Sequence, residues 1–381
     1  MRFPEFGGEW IRCTLGDITE NFSRRNKEEI HYPMFSVTNN KGFIPQSEQF
    51  EDREMIGEDI KAYKIIHRDD FAYNPARINV GSIAKYNEEN PCMISSLYVC
   101  FKTNPKIDND WMMQLLKTPK MNFYYNINGE GGVRIYLFYP NFARIKTSYP
   151  TLKEQQKISS FLNLLDERIS TQNKIIEDLK KLKVAITQKI SKDKSNKKVM
   201  LSELLTERCE KNKDLYPVHS VSVSEGIINQ IDYLGRSFAA NDISNYNVVY
   251  YGDIVYTKSP TGDFPYGIVK MNSISAKVSV SPLYGVYHPS SEYVGIYLHN
   301  YFSNSLNAKN YLHKLVQKGA KNTINITNKR FLENEISLPN EALLKEYSLF
   351  ISTFDLKIKS EQKAQLLLQK QKEYLLQQMF I

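Results

Sequence analysis

The feature that most constrains this fold is a heptad seam that occurs twice. Between residues 150 and 190, apolar residues stand at Ile158, Leu162, Leu165, Ile169, Ile176, Leu179, Ile186 and Ile190, in alternating steps of four and three, with Gln172 and Lys183 filling two slots. This spacing draws one narrow apolar stripe along a long helix, and such a stripe wants a partner helix. The partner is in the same chain. Residues 339–379 repeat the pattern at a constant offset of 189: Pro150 matches Pro339, Asp166 matches Asp355, Ile169 matches Ile358, Leu179 matches Leu368 and Lys183 matches Lys372. The second seam reads Ile351, Phe354, Ile358, Leu368, Leu375 and Met379. Each copy follows a proline, which readily precedes or opens a helix. About 38 residues at 1.5 Å each give a rod on the order of 57 Å, which suits a spacer. A lone surface helix with a core-facing stripe is the alternative; the existence of a copy favours pairing.

Two globules stand before the two helices. In the first, WIRCTLGDIT at 10–19 reads as a strand leading into a short turn or helix. Residues 28–46 read as strand, polar turn at 38–42 and strand; 61–84 and 92–102 are β-prone; 109–125 has helical spacing. Charged KDKSNKKV at 192–199 reads as a linker. The second globule repeats the first more loosely. YPMFSVTNNKGFIPQ at 32–46 lines up with YPVHSVSVSEGIINQ at 216–230, and YKIIHRDDFAY at 63–73 with YNVVYYGDIVY at 246–256. The loops after these stretches diverge: NPARINVGS at 74–82 stands where the second globule has TKSPTGDFPYG at 257–267. One scaffold built twice, reading two different things, is the expectation. The segments are therefore 1–149, a helix at 150–191, a linker at 192–199, a globule at 200–338 and a helix at 339–381. The fold class is α/β in the α+β sense: two repeated β-rich domains separated by two long antiparallel coiled-coil helices, with an internal pseudo-two-fold.

Charge gives weaker guidance. The net charge of +8 suggests nucleic acid, but residues 151–199 hold 12 Lys+Arg against 6 Asp+Glu, while residues 1–150 hold 19 of each. A lysine-rich helix face is usually just solvated. Hydrophobic content of 41% describes a globular protein; no run reaches the length of a membrane span and MRFPEFGGEW is not a signal peptide, so the cytoplasm is expected. Cys13, Cys92, Cys100 and Cys209 form no CxxC pair and read as buried or half-buried free thiols.

Motifs of catalysis are missing from the sequence. No glycine is followed by lysine, so there is no phosphate loop; no HExxH or GxSxG occurs; GEGG at 129–132 reads as a loop turn. Asn74-Pro75-Ala76-Arg77 partly resembles the motif of adenine methyltransferases but lacks its second proline and its aromatic, and reads as a turn. No cofactor is expected on this chain.

The order globule, long helix, globule, long helix resembles the specificity subunit of type I restriction–modification systems, often called HsdS. The first helix carries the family pattern: Pro150, Glu154-Gln155, Leu165-Asp166, Ile169, Leu179 and Lys183. The second keeps Pro339, Phe354-Asp355, Ile358, Leu368 and Lys372 but has Leu343-Leu344 in place of Glu-Gln, a departure expected to bear on a partner contact. The resemblance implies that each globule is a target-recognition domain reading one half of a split site in double-stranded DNA. It implies that the helices pair antiparallel, set the spacer and dock two methyltransferase subunits, which bring S-adenosylmethionine. A restriction subunit using ATP joins in such systems. The chain itself would hold no catalytic residue and no metal.

Base reading needs Arg, Lys, Asn, Gln or Ser at loop tips, and phosphate contacts need further cations. The DNA-binding candidates are Arg24, Arg25, Lys27, Asn39, Asn40, Lys41, Asn74, Arg77 and Arg134 in the first globule, and Lys211, Asn212, Lys213, Lys258, Ser259, Thr261, Lys318, Lys321 and Asn322 in the second. For each one, an exposed polar loop residue is the plain alternative. The helix-pairing candidates are Ile158, Leu162, Leu165, Ile169, Ile176, Leu179, Ile351, Phe354, Ile358, Leu368 and Leu375. Tyr73 and Tyr256 occupy equivalent sites and read as core. Two other functions stay open: a fused DNA-modifying enzyme, and a coiled-coil scaffold without nucleic acid.

Overall fold

A computed structural model describes residues 1–49, 60–132, 134–236, 239–318 and 324–380. Contacts divide the chain into two compact units, one of Met1–Asn173 with Lys363–Ile381, the other of Lys174–Gln362. Each long helix therefore contributes to both units: Leu152–Ser191 and Glu341–Met379 are continuous.

The first unit is built on a four-stranded antiparallel sheet in the order Thr19–Phe22, Val99–Thr103, Phe71–Tyr73, Ile83–Lys85. Three two-stranded ribbons surround it: Ile11–Thr14 with Lys146–Tyr149, Phe35–Thr38 with Gly42–Pro45, and Lys64–Ile66 with Cys92–Ile94. The helical spacing at 109–125 resolves into two helices, Asn109–Leu116 and Pro119–Asn128. The break has a local cause. The Thr118 hydroxyl donates to the Leu115 carbonyl, closing one helix, and accepts from the Met121 N–H, capping the next, whose first residue is proline.

The second unit has the same plan. Its sheet runs Leu205–Glu207, Gly285–Pro289, Ile254–Tyr256, Val269–Met271, and its matching ribbons are Lys197–Met200 with Glu335–Leu338, His219–Ser222 with Gly226–Asn229, and Asn247–Val249 with Val278–Val280, to which the short ribbon Gln317–Lys318 with Ile324–Asn325 is added. The stretch read as a linker, 192–199, thus ends inside a strand: its apolar Val199 packs on the core and its backbone pairs with Ile336.

Each core is a stack of aromatic rings closed by helix residues. Phe71, Tyr73, Phe101, Trp111 and Phe142 are fully buried with Ile158, Leu162, Leu165, Leu375 and Met379. In the other unit Tyr256, Tyr287, Tyr297, Phe302 and Phe331 pack with Leu344, Tyr347 and Ile351. Burying such side chains contributes roughly 1.5–3 kcal/mol each, which ties the helices to the sheets. Tyr73 and Tyr256 are core residues, at 0% exposure.

Within each unit the helices run antiparallel. Lys372 Nζ lies 2.5 Å from Asp166 Oδ1 and Gln365 bonds Asn173 in the first; Lys183 Nζ lies 2.5 Å from Asp355 Oδ1 and the Thr187 and Tyr347 hydroxyls meet at 2.8 Å in the second. Of the expected seam residues, Ile158, Leu162, Leu165, Ile176, Ile351, Ile358 and Leu375 are buried, while Ile169, Leu179, Phe354 and Leu368 are half-buried.

The Glu154-Gln155 pair is buried inside the first unit. The Glu154 carboxylate takes Arg2 at 2.6 Å, and the Gln155 amide donates to the Lys106 and Pro150 carbonyls and accepts from the Asp108 N–H. Its role is internal rather than a partner contact. At the place of its second residue, Leu344 is simply core.

Candidate nucleic-acid interface

Five first-unit candidates meet in one groove. A cavity of about 730 Å³ is lined by Asn39, Asn40 and Lys41 at the tip of the hairpin and by Asn74 and Arg77 on the diverged loop, with Ser36, Gln46, Tyr63 and Tyr98 among its walls and Glu48 as its carboxylate. The sequence folds this way for local reasons. The Thr38 hydroxyl donates to the Gly42 carbonyl and accepts from the Lys41 N–H, closing the hairpin turn. The Asn74 side chain accepts from the Ala76 N–H, an Asx turn, so Asn-Pro-Ala-Arg is a turn here. The two loops are then fastened together. Ser82 Oγ donates to the Val37 carbonyl at 2.7 Å, and Gly81, at φ +100°, brings its Cα so near that a Cβ would stand 3.1 Å from the Asn39 carbonyl. Asn39, Asn40, Lys41 and Arg77 are exposed, and Asn74 is half-buried. Exposed amides can read adenine, an exposed guanidinium can read guanine or a phosphate, and a lysine supplies a point charge.

The remaining first-unit candidates do not line this groove. Arg24 is committed to structure: its Nη1 donates to the buried Asp70 carboxylate at 2.9 Å and its guanidinium stacks 4.8 Å above Phe22. Arg25 and Lys27 are exposed on the loop that precedes the hairpin, and Arg134 is exposed on the 129–137 loop.

The second-unit candidates with described side chains lie on two loops, Lys211, Asn212 and Lys213 on one and Lys258, Ser259 and Thr261 on the other. Lys211 donates to the Asn247 side chain at 2.7 Å, and Lys213 is exposed. Asn212 is corrected by its burial: at 0% exposure its amide donates to the Tyr216 carbonyl and accepts from the Tyr216 N–H, so it shapes the loop and presents nothing to a ligand. Asn26 does the same job for Ile30. Lys258 is half-buried with φ +62°, and burial pushes its ammonium below the usual lysine range while Glu207 opposes that. Gly267 is required beside it, since a Cβ there would lie 2.8 Å from the Lys258 nitrogen. Ser259 and Thr261 are exposed on a tight turn in which Thr261 and Phe264 exchange backbone hydrogen bonds. Lys318 lies in the short strand Gln317–Lys318, with its side chain outside the described residues, as Lys321 and Asn322 are altogether.

Sequence reasoning missed the ion pair that organises each loop cluster. Asp253, fully buried, takes Arg208 at 2.7 Å, and Arg208 stacks 4.1 Å above Tyr250. The two aspartates are equivalent, each accepting from the N–H three residues earlier, His67 and Tyr250. The arginines are not. Glu207 pairs with Tyr287 as Asn21 pairs with Phe101, so Arg208 follows the strand directly where Arg24 comes two residues later. No alignment signal could connect them, because the same charge arrives from different positions.

Cys209 also departs from expectation, being exposed, while burial pushes the Cys92 and Cys100 thiols up to about 12. Among the described residues no group of three or more His, Cys, Asp and Glu side chains could hold a metal ion, and no helix is long and apolar enough to cross a membrane.

No family model matches the chain. Over 198 residues it is 26% identical to a putative type I restriction enzyme MjaX specificity subunit of Methanocaldococcus jannaschii, a match that covers 49% of this chain and spans about half, 46%, of that relative. The crystal structure of a type I restriction–modification S subunit from M. genitalium superposes with a TM-score of 0.59 at 11% identity, covering 100% of this chain and 98% of the other. A chain from a structure on complex assembly and conformational transition of the type I restriction–modification system gives 0.58 at 12% identity, covering 99% and 98%. In fold over its whole length, and in sequence over about half of it, the chain is similar to the specificity subunits of type I restriction–modification systems.

Proposed function

We propose that this chain is the DNA sequence-specificity subunit of a type I restriction–modification complex, each globule reading one half of a bipartite target. The observation that carries this reading is the agreement in fold with such S subunits over the full chain. The groove between the 38–42 turn and the 74–82 loop supports the reading: it offers the exposed amides of Asn39 and Asn40 and the exposed guanidinium of Arg77 on loops fastened by a buried hydrogen bond. Recognition is this chain's role, and the chemistry belongs to partners. Two methyltransferase subunits would bring S-adenosylmethionine, and a restriction subunit would bring ATP hydrolysis.

Apolar side chains left open on the long helices support a partner there. Leu164, Leu366 and Leu367 are exposed on the first unit, and Leu349 and Leu356 are 73% and 69% exposed on the second. Such surface is expected to make the isolated chain self-associate, and a clean monomer at high concentration would count against it.

The test is methylation mapping. The chain is co-expressed with its methyltransferase partner in a host without adenine methylation, and host DNA is sequenced for modified bases. A split motif modified on both strands and lost without this chain is the expected result. Absence of any modification, with a partner shown to bind S-adenosylmethionine, would overturn the reading in favour of a scaffold.

A further inference from the structure

The seam of the helix pair is interrupted at only a few slots, and two of them carry lysine. Lys183 and Lys372 sit where the heptad calls for an apolar residue, and their side chains are only 17% and 15% exposed. Each meets an aspartate of the other helix. Lys183 Nζ is 2.5 Å from Asp355 Oδ1; Lys372 Nζ is 2.5 and 2.7 Å from the two oxygens of Asp166, which also accepts from the Gln114 amide at 3.1 Å. The two pairs are copies, exchanged by the 189-residue repeat, one in each unit.

Ion pairs of this kind contribute little net stability, since the lysines lose hydration while the aspartates, 44% and 45% exposed, leave the attraction screened by solvent. Their effect on register is different. Apolar seam residues recur every seven positions and are nearly interchangeable, so the stripe alone permits slipped pairings. A slip by one heptad, about 10 Å along one helix, would set Lys183 opposite Ser348 or Gln362 and Lys372 opposite Ser159 or Asn173. It would also set Asp355 opposite Ile176 or Ile190. Both lysines would lose their carboxylates in either direction, and an aspartate would face apolar surface.

We infer that the Lys183–Asp355 and Lys372–Asp166 pairs lock the register of the two long helices, and that they are positioning residues for the distance between half-sites. The second clause rests on the proposed function; the first does not. The lock acts by excluding alternatives rather than by adding stability, which distinguishes it from a structural salt bridge.

The experiment uses the full-length chain with Cys209→Ser, Asn173→Cys and Gln365→Cys, so that oxidative cross-linking reports native register without DNA. Replacing both pairs (Lys183→Met, Asp355→Leu, Lys372→Met, Asp166→Leu) is expected to leave the melting temperature equal or higher while the cross-link yield falls at least two-fold. Lys372→Glu alone is expected to cut the yield at least five-fold, and Lys372→Asp with Asp166→Lys to restore it to within two-fold. An unchanged yield in the apolar variant, or a swap that fails to restore, overturns the lock. If the apolar variant does not fold, the single reversal and the swap decide. In the assembled complex, methylation mapping of the apolar variant should then show the same half-sites at more than one spacing. A single spacing there, with the cross-link lost, overturns only the specificity clause, whereas no methylation by the unaltered chain speaks against the proposed function instead.

Discussion

The two hairpin tips make the sharpest contrast in the molecule. Residues 38–42 read Thr-Asn-Asn-Lys-Gly; the matching turn at 222–226 reads Ser-Val-Ser-Glu-Gly. Both close on a hydroxyl, Thr38 accepting from the Lys41 N–H and Ser222 from the Glu225 N–H, and both end on a glycine with positive φ. The frame is therefore the same, while the exposed tip changes from two amides and a cation to a valine, a serine and a carboxylate. Below the tips the sheet order, three ribbon pairings and the aromatic stack coincide, and the second unit adds the ribbon of Gln317–Lys318 with Ile324–Asn325. The three exposed residues are free to differ because the residues beneath them already satisfy the backbone.

The largest effects should fall on the shared frame. Phe142 and Phe331 hold equivalent places at the centre of each aromatic stack, at 0% exposure. Phe142→Ala and Phe331→Ala are each expected to cost about 3–5 kcal/mol in denaturant unfolding. A large loss at only one of them would break the equivalence.

Lys270 sharpens the contrast by pH. Ala84 occupies its position in the first sheet, whereas Lys270 is 6% exposed and is pushed down from 10.5 to about 8, first by burial and then by Lys183. Between those values the unfolded chain binds the extra proton, so stability should rise with pH, by on the order of 3 kcal/mol across the window. Lys270→Met should abolish that rise, read as melting temperature against pH; a profile unchanged by the substitution would show the lysine to be charged when folded.

Groove residues come next. Arg77→Ala is expected to lose about 1–3 kcal/mol of discrimination and to relax one half of the methylated motif only. Lys41→Ala should weaken DNA binding across sequences and lower the salt slope by about 1. Relaxation of both halves by Arg77→Ala would end the assignment of one unit to one half-site.

The smallest effect separates two core tyrosines. Tyr256 Oη donates to the Tyr266 carbonyl at 2.7 Å, while the buried Tyr73 hydroxyl has no hydrogen-bond partner among the described residues. Tyr256→Phe should cost about 1 kcal/mol and Tyr73→Phe should be neutral or stabilising. Equal losses in urea unfolding would refute the distinction.

Much of the frame was legible because its signals are short-ranged. The heptad steps, the prolines before each helix and the copied strand stretches are local patterns, and they sufficed for two long helices and a doubled mixed fold. The convergence of Asn39, Asn40, Lys41, Asn74 and Arg77 was legible only as membership of diverged loops; Gly81 and Ser82 bring those loops together, and their contacts to Asn39 and Val37 span more than forty residues of chain.

What the sequence alone determined is the periodic part: helix length, seam, and the offset that makes one half of the chain a copy of the other. Periodicity needs only neighbours along the chain, so it survives without knowledge of the fold. What only the tertiary structure decided is which side chains lie free and which are spent. Arg24 and Arg208 reach equivalent aspartates, Asp70 and Asp253, from different positions after the strand, Asn26 and Asn212 vanish into their own loops, Glu154 and Gln155 turn inward, and residues 197–200 pair as a strand. Apart from the two asparagines, which bond residues four positions on, each of these depends on a partner distant in sequence, and burial, which decides whether a polar side chain serves the fold or faces a ligand, exists only once the chain has closed on itself.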